Sequence, residues 1–202
     1  MTIFFYENDL PDSFIAGDAV AIDSETMGLN IKRDRLCLVQ FSNGDGNAFL
    51  VRFSNNYDCP NIKKILSNHE VQKIFHFARF DLACLKYYLK CNINNIYCTK
   101  IASKLVRTYT DSHGLKSICE ELLGIEISKK QQSSDWGGAI ISDKQQEYAA
   151  SDVLYLHSLR DKLTAMLERE KRLIYFQQCL QFLTTRVDLD LQGFENLDIF
   201  AH

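Results

Sequence analysis

The chain has 202 residues, of which 46% are hydrophobic and 24% are charged, and it contains only two prolines. This length suits one domain with a single sizeable core, and the composition excludes a disordered or low-complexity protein. The formal net charge of -3 is opposite in sign to the basic surface typical of nucleic-acid binders. Bound divalent cations would reverse that sign locally, so net charge alone does not exclude a phosphate-bearing substrate.

The N-terminus and the cysteines point to an intracellular protein. The segment MTIFFYENDLPDS is acidic after a short apolar patch and has no basic stretch, so we expect no secretory signal. No apolar run approaches the roughly 18 residues of a membrane span. The seven cysteines are odd in number and form no C-x-x-C pair, which argues against a disulfide framework and a zinc site. We expect a cytoplasmic protein with reduced, mostly packed thiols and no membrane partner.

The first part of the chain predicts antiparallel strands. Short strands are predicted at residues 2–6 and 18–23. The runs RLCLVQFS and AFLVRF are separated by the Gly- and Asn-rich turn NGDGN, which predicts a hairpin.

After Pro60 the pattern alternates between helices and strands. The predicted elements are a helix in NIKKILSN, a strand in VQKIFHF, a helix in ARFDLACLKYYL, a strand in NIYCT, and helices at 99–108 and 114–123, the last ended by Gly124. Three antiparallel strands followed by this alternation predict an α/β fold, a mixed sheet with helices on its faces. After the polar segment EISKKQQSSDWGG, a long helix is predicted from about Ser142, which forms a capping-box pattern with Gln145.

Two carboxylates end a buried strand in the stretch AVAIDSETMGL. Side chains two apart on a strand point the same way, so Asp23 and Glu25 are expected to lie side by side. A divalent cation would remove their repulsion, because hard oxygen ligands suit Mg²⁺ and Mn²⁺. Two solvated acids on a loop are the alternative, since the D-x-E triplet alone is a weak signal.

Two further acids are placed where such a site could use them. Asp81 follows a predicted strand in the first turns of a helix, where the helix dipole alone would also favour an acid. Tyr148 and Asp152 are four apart on the last helix and therefore share a face. The apolar positions that follow Asp152 seat this helix on the core and leave the carboxylate half-buried, in need of a cation or a donor.

Together these residues form three spaced motifs, D-x-E in IDSETMGL, H-x-x-x-x-D in HFARFD and Y-x-x-x-D in YAASD. This set resembles the DEDD superfamily of 3′-5′ exonucleases in its tyrosine branch, on a ribonuclease H-like fold, and it is most similar to ribonuclease D. The segment LKSICEELLGIEISKKQQSSDW is also similar to ribonuclease D. Glu147 does not match the histidine branch, and Phe77 stands where proofreading exonucleases often have Asn.

The resemblance implies a metal-dependent hydrolase with two divalent ions, Mg²⁺ or Mn²⁺, as cofactors. It implies that Asp23, Glu25 and Asp152 bind the ion that activates water, that Asp23 bridges to the second ion, and that Asp81 supports that ion. Tyr148 would orient the nucleophile by a hydrogen bond. Its phenol, with an ordinary pKa of about 10, is a poor base at neutral pH.

The resemblance also implies substrate-binding residues. Thr26, through its hydroxyl, and Leu29, as an apolar wedge against the terminal base, would meet the 3′ end. His76, Phe80 and Trp136 are candidates for lining the cleft, although packing in the core or a loop explains each of them equally well. Recognition by stacking and backbone contacts carries little sequence preference.

The expected function is removal of nucleotides from RNA 3′ ends, with release of nucleoside 5′-monophosphates. The choice of RNA rests on the resemblance to ribonuclease D, since no motif reads a 2′-hydroxyl. A 3′-5′ exodeoxyribonuclease acting on single-stranded DNA is the alternative enzyme, and a catalytically silent RNA-binding module is the alternative from another class. Basic clusters that could steer the backbone, or simply be solvated faces, are Lys32, Arg33 and Arg35; Lys100, Lys104 and Arg107; and Lys129 and Lys130.

Ribonuclease D of the best-known bacterial type has accessory helical domains after its catalytic domain. Here residues 171–202 are too few for such a domain and are expected to form only a C-terminal helical extension. We therefore expect residues 1–202 to form a single, stand-alone exonuclease domain.

Overall fold

A six-stranded mixed sheet forms the centre of the protein. The computed structural model describes residues 1–128 and 130–201. The strands are β1 (Ile3–Glu7), β2 (Ala19–Thr26), β3 (Leu36–Ser42), β4 (Ala48–Arg52), β5 (Gln72–Phe75) and β6 (Ile96–Cys98), and their spatial order is β1-β4-β3-β2-β5-β6.

The strand directions confirm the predicted mixed sheet. β3 is antiparallel to both β2 and β4, as the strand and hairpin patterns predict. β5 pairs in parallel with β2, and β6 pairs in parallel with β5. β1 pairs in parallel with β4 at the opposite edge, a pairing that the sequence pattern did not predict. All strands except β3 therefore run the same way, and the carboxyl ends of β2, β5 and β6 meet at one edge of the sheet.

The hairpin between β3 and β4 depends on its glycines. Gly44 and Gly46 have φ angles of 86° and 85°, which lie in the left-handed region that residues with a Cβ rarely adopt. The strand before this turn is buried along its whole length, because neighbouring strands flank it and helices cover it on both faces. A polar side chain in β3 therefore loses its hydration, and this loss costs free energy unless the side chain forms hydrogen bonds within the protein.

Helices cover both faces of the sheet. They are α1 (Pro60–Ser67), α2 (Ala78–Leu89), α3 (Thr99–Val106), α4 (Leu115–Leu123), α5 (Asp143–Leu154), α6 (Leu156–Arg169) and α7 (Leu173–Leu189). α2 packs against β2, β3 and β5, whereas α5 packs against β1 to β4. Alternate residues of β2 feed these two layers: Val20 and Ile22 join the core beneath α2, and Ala19 and Ala21 join the core beneath α6.

The predicted long helix after Ser142 is wrong in one respect, because it breaks at Tyr155 into α5 and α6. The break lets α5 follow the strands β1 to β4 while α6 turns toward β5, α3 and α4. One straight helix could not follow both parts of a twisted sheet. The capping box between Ser142 and Gln145 is present, and Gly124 ends α4 with a φ of 70°, as predicted.

The C-terminal part packs on α2. After α7 the chain makes one wide helical turn, Asp190–Phe194. The Asp190 carboxylate accepts hydrogen bonds from Arg79 Nε on α2, at 2.6 Å, and from Arg186 Nε on α7, at 2.9 Å. This group of three residues, which we call the arginine clasp, ties the C-terminal turn to the helix that carries Asp81.

Two sequence expectations concern membranes and thiols. Within residues 1–128 and 130–201, no helix has the length and apolar character to cross a membrane. All seven cysteines are free thiols, and five of them are buried.

Candidate active site

The strand β2 divides its polar residues between two layers. Asp23 and Glu25 continue the series of Ala19 and Ala21 on the face covered by α5 and α6, and Ser24 points to the face covered by α2. Both acids lie in the last four residues of β2, next to an irregularity in the pairing with β3. The strand therefore presents paired carboxylates at the edge where parallel strands end.

Three carboxylates converge at this edge. Asp23, Glu25 and Asp152 each offer an oxygen, and these oxygens lie within 4.8 Å of one another. Asp152 reaches the group because α5 packs against β2. A set of oxygen donors this close together fits the preference of Mg²⁺ and Mn²⁺.

Burial and mutual repulsion disfavour the ionised forms of Asp23 and Glu25 and so raise their pKa values. The pKa of Asp23 is raised well above its usual value by burial and then by the charges of Asp81, Asp152 and Glu25. The pKa of Glu25 is raised by burial and by the charges of Asp152 and Asp81. Groups that resist ionisation beside one another are a mark of a functional site, because a bound cation would relieve the conflict.

Asp81 approaches from the opposite layer. It is 3% exposed on α2, and its Oδ1 accepts a hydrogen bond of 2.6 Å from the Ser24 hydroxyl. Burial raises the pKa of Asp81 to about 7, although the hydrogen bond from Ser24 opposes that shift. Among the described residues, the three-carboxylate group does not include Asp81, but its charge acts on both Asp23 and Glu25.

Tyr148 lies beside the acids on α5. Burial raises the pKa of its phenol, as do the charges of Asp152, Glu25 and Asp23 and a hydrogen bond with Asp152. The phenol is therefore protonated at neutral pH and can donate a hydrogen bond but cannot act as a base. The Trp136 ring lies 6.0 Å from the Tyr148 ring and is only 3% exposed, so Trp136 packs behind Tyr148 in the core.

Sequence reasoning missed Gln40. It lies directly opposite Asp23 in the β2–β3 pairing and is completely buried, and its Nε2 donates a hydrogen bond of 2.9 Å to Asp23 Oδ2. Its Oε1 is buried without a partner among the described residues. The available sequence signal was the single amide in the apolar strand LCLVQFS, because burying an amide costs free energy unless it forms hydrogen bonds.

The four candidate substrate residues have different settings. Thr26 directs its hydroxyl to the backbone carbonyl of Gly28, and Leu29 is 86% exposed. His76 Nδ1 lies 2.9 Å from the Thr99 hydroxyl, at the ends of β5 and β6. Phe80 is half-buried and lines a cavity together with Leu29.

Three arginines of the predicted basic clusters have partners within the fold. Arg107 is 1% exposed and forms an ion pair with Glu121, so it belongs to the core rather than to a steering surface. Arg33 pairs with Asp34, and Arg35 donates to the carbonyls of Phe53 and Gly137. Lys129 lies outside the described residues.

Comparison with known proteins identifies the family of this chain. A family model described as 3′-5′ exonuclease matches residues 7–168. Ribonuclease D of Gluconacetobacter diazotrophicus is 31% identical over 165 residues, which are 82% of this chain and 42% of that protein. The chain thus spans less than half the length of this curated relative.

Solved structures extend the comparison to the whole chain. NrnC of Brucella melitensis with bound Mg²⁺ is 52% identical, covers 100% of both chains and has a TM-score of 0.95. The same protein bound to pGG is 53% identical, covers 100% of this chain and 99% of its own, and has a TM-score of 0.97. Escherichia coli RNase D, at 24% identity, shares the fold over 84% of this chain and 45% of its own, with a TM-score of 0.75. The chain belongs to the 3′-5′ exonuclease family, as its three motifs predict.

Proposed function

We propose that the protein is a 3′-5′ exoribonuclease that uses two divalent metal ions, Mg²⁺ or Mn²⁺, to hydrolyse phosphodiester bonds at RNA 3′ ends. The observation that carries this proposal is the convergence of oxygens from Asp23, Glu25 and Asp152 within 4.8 Å. The names of the relatives, ribonuclease D and NrnC bound to pGG, support RNA as the substrate class.

The carboxylates divide the work of holding the ions. Asp23, Glu25 and Asp152 would hold one ion, and Asp23, supported by Asp81 from the opposite layer, would hold the second. When bound, such ions stabilise negative charge on the attacking and leaving oxygens of the phosphodiester. Gln40 and Ser24 hold Asp23 and Asp81 in fixed orientations by their hydrogen bonds.

The remaining candidate residues would place the substrate. Tyr148 would donate a hydrogen bond from its phenolic O–H to the attacking water or to a phosphate oxygen and so fix the position of that group, because the phenol stays protonated at neutral pH. Leu29, exposed beside the site, would wedge against the terminal base, while Phe80 lines the cavity next to it. Thr26 and His76 would complete the 3′-end pocket from β2 and the end of β5.

We also propose that residues 1–202 act as one exonuclease domain in the cytoplasm, with residues 171–202 as its C-terminal extension. The arginine clasp supports the first part, since it joins the C-terminal turn to the helix that carries Asp81. Seven free thiols are compatible with a reducing compartment.

The experiment follows a 5′-labelled single-stranded RNA with Mg²⁺, with Mn²⁺ and with EDTA. We expect stepwise shortening from a free 3′-hydroxyl, release of nucleoside 5′-monophosphates, and no reaction in EDTA. A 3′-phosphorylated RNA should be degraded much more slowly, because an exonuclease must seat the free end.

Matched substrates separate this proposal from its alternatives. A DNA oligomer of the same sequence that is hydrolysed faster than the RNA would favour the exodeoxyribonuclease. Cleavage of a circular RNA at the same rate would indicate an endonuclease. RNA that binds with no product at any metal concentration would leave only the silent binding module.

A further inference from the structure

Phe77 has a backbone conformation that its side chain disfavours. Its φ and ψ are 66° and 43°, in the left-handed region. Among the described residues, six residues other than glycine have a positive φ, and three of these are asparagine. Asparagine tolerates the left-handed region, whereas a bulky phenylalanine there is an outlier. A strained conformation of a bulky residue beside a functional site points to a role for that residue.

Packing accounts for only part of the Phe77 side chain. Phe77 is 46% exposed, although an aromatic ring is among the most costly groups to leave in water. The turn itself is needed because β5 ends at Phe75 and α2 begins at Ala78. Asparagine or glycine would make that turn with less strain, so neither the turn nor the core requires a phenyl ring here.

The Phe77 ring lies beside candidate substrate residues and a positive charge. It lines a cavity of about 550 Å³ together with Leu29 and Phe80, both of which are candidate substrate residues. Two residues that line this cavity, Phe77 and Leu29, lie four residues before Asp81 and four residues after Glu25 in the sequence. The Lys100 ammonium lies 4.0 Å from the centre of the Phe77 ring, which brings a positive charge to the same place.

We propose that Phe77 is a stacking platform for a nucleobase of the bound RNA end, a proposal that rests on the exonuclease function proposed above. Every base has a flat π face, so an exposed phenyl ring can support any of them. The cation at the ring complements the phosphodiester that accompanies the base.

The test measures binding of a short RNA that carries 2-aminopurine at its terminal or penultimate position. Ca²⁺ replaces Mg²⁺, because it takes oxygen ligands in a looser geometry, and binding is then read without turnover. We expect the wild type and Phe77→Tyr to quench the fluorescence of one of these bases. Phe77→Asn should lose the quenching and raise the Kd about 5- to 100-fold, the effect of losing one stacked base.

A second comparison separates stacking from a structural role. An RNA with an abasic site at the stacked position should bind wild type and Phe77→Asn equally well. Lys90→Gly is the matched control, because Lys90 ends the same helix with a φ of 55°. Lys90→Gly should leave Kd unchanged, and the melting temperature of Phe77→Asn should stay at or above that of the wild type, since both changes relieve the left-handed backbone.

Three outcomes would overturn the platform. They are wild-type affinity in Phe77→Asn, an equal loss of affinity for abasic RNA, and failure of Phe77→Tyr to restore binding. Hydrolysis of the same RNA by the wild type in Mg²⁺ is scored separately. A wild type that quenches 2-aminopurine through Phe77 but releases no nucleotide would refute the exonuclease and retain the platform.

Discussion

The acidic site and the arginine clasp are two ways of burying carboxylates in one molecule. In the clasp, burial acts to raise the pKa of Asp190, but hydrogen bonds from Arg79 and Arg186 outweigh it and lower the pKa. In the site, burial raises the pKa of Asp23 and the nearest charges that act on it are those of other carboxylates, which raise it further. In the clasp, arginines of the protein itself neutralise the Asp190 carboxylate. In the site, no such cation among the described residues acts on Asp23, so its charge is neutralised only when a cation binds from solution.

This difference separates stability from function. The Asp190 side chain is 8% exposed and held by two guanidinium groups, so it contributes to the fold. Asp23 has Gln40 as a hydrogen-bond donor, but a neutral amide cannot compensate a full charge. The contrast predicts that equivalent changes in the two regions have opposite consequences.

The largest effect is expected from Asp23→Asn compared with Asp190→Asn. Asp23→Asn should reduce kcat about 10³-fold or more, because it removes the carboxylate proposed to bind both metal ions, while the free energy of unfolding in EDTA stays the same or rises. Asp190→Asn should lower the free energy of unfolding by about 1–3 kcal/mol and retain most of the activity. Urea denaturation and RNA hydrolysis measure the two quantities. Undiminished hydrolysis by Asp23→Asn would refute the assignment of the site.

A smaller effect is expected from Gln40→Met, which keeps the length of the side chain and removes its donor. Mn²⁺ affinity, measured by calorimetry without substrate, should fall about 10- to 100-fold, the usual cost of losing a partner that orients a metal ligand. Unfolding in EDTA should change little, because the buried amide leaves one of its own polar atoms without a partner.

Val39→Ala is the control for Gln40→Met. Val39 is equally buried in β3 but joins the core on the other face. Val39→Ala should lower the free energy of unfolding and leave Mn²⁺ affinity unchanged. A loss of Mn²⁺ affinity in Gln40→Met alone, with RNA hydrolysis restored at high Mn²⁺, supports positioning by Gln40, whereas the same loss of affinity in both variants would attribute it to general loosening of the sheet.

The smallest effect concerns pH. In the metal-free fold, Asp81 keeps its proton up to a pKa of about 7, whereas an unfolded aspartate releases it near 3.9. The folded state therefore holds more protons between pH 4 and 7, and this group's contribution to stability falls as pH rises through that range. Mg²⁺ requires deprotonated carboxylates, so the rise in melting temperature caused by saturating Mg²⁺ should grow from pH 5 to pH 7.

The difference between melting temperatures with Mg²⁺ and with EDTA isolates the site. His113 and His157, whose pKa values are lowered by burial, change stability in the opposite direction, but they do so with and without Mg²⁺. Asp190 and Glu121 have lowered pKa values and stay ionised in this range. An equal Mg²⁺ effect at pH 5 and pH 7 would show that the site acids are already ionised in the metal-free fold.

Local sequence patterns predicted most of the fold. The hairpin turn, the capping box at Ser142 and the end of α4 at Gly124 depend on neighbouring residues, and they appear where expected. The pairing of β1 with β4 and the break at Tyr155 depend on how distant elements pack, and no local pattern encodes them. Pairing partners and helix bends are tertiary choices.

The site divides in the same way. Spacing placed Asp23 beside Glu25, but the proposal that Asp152 joins them came from the resemblance of the three ordered motifs to the DEDD exonucleases. Gln40 and Ser24 were not found, since their roles arise from a cross-strand neighbour and from a helix on the opposite face. The strain at Phe77 is a property of one dihedral angle and has no local sequence signal.

The alternation along β2 makes this strand intolerant of insertion or deletion. A slip of one residue would carry the two acids into the layer beneath α2 and turn the serine hydroxyl toward α5. The two carboxylates would then lie in a hydrophobic interior, and Asp81 would lose its hydrogen-bond donor. An insertion or deletion within residues 19–26 would therefore separate Asp23 and Glu25 from Asp152, so the register of a single strand determines whether the three carboxylates meet.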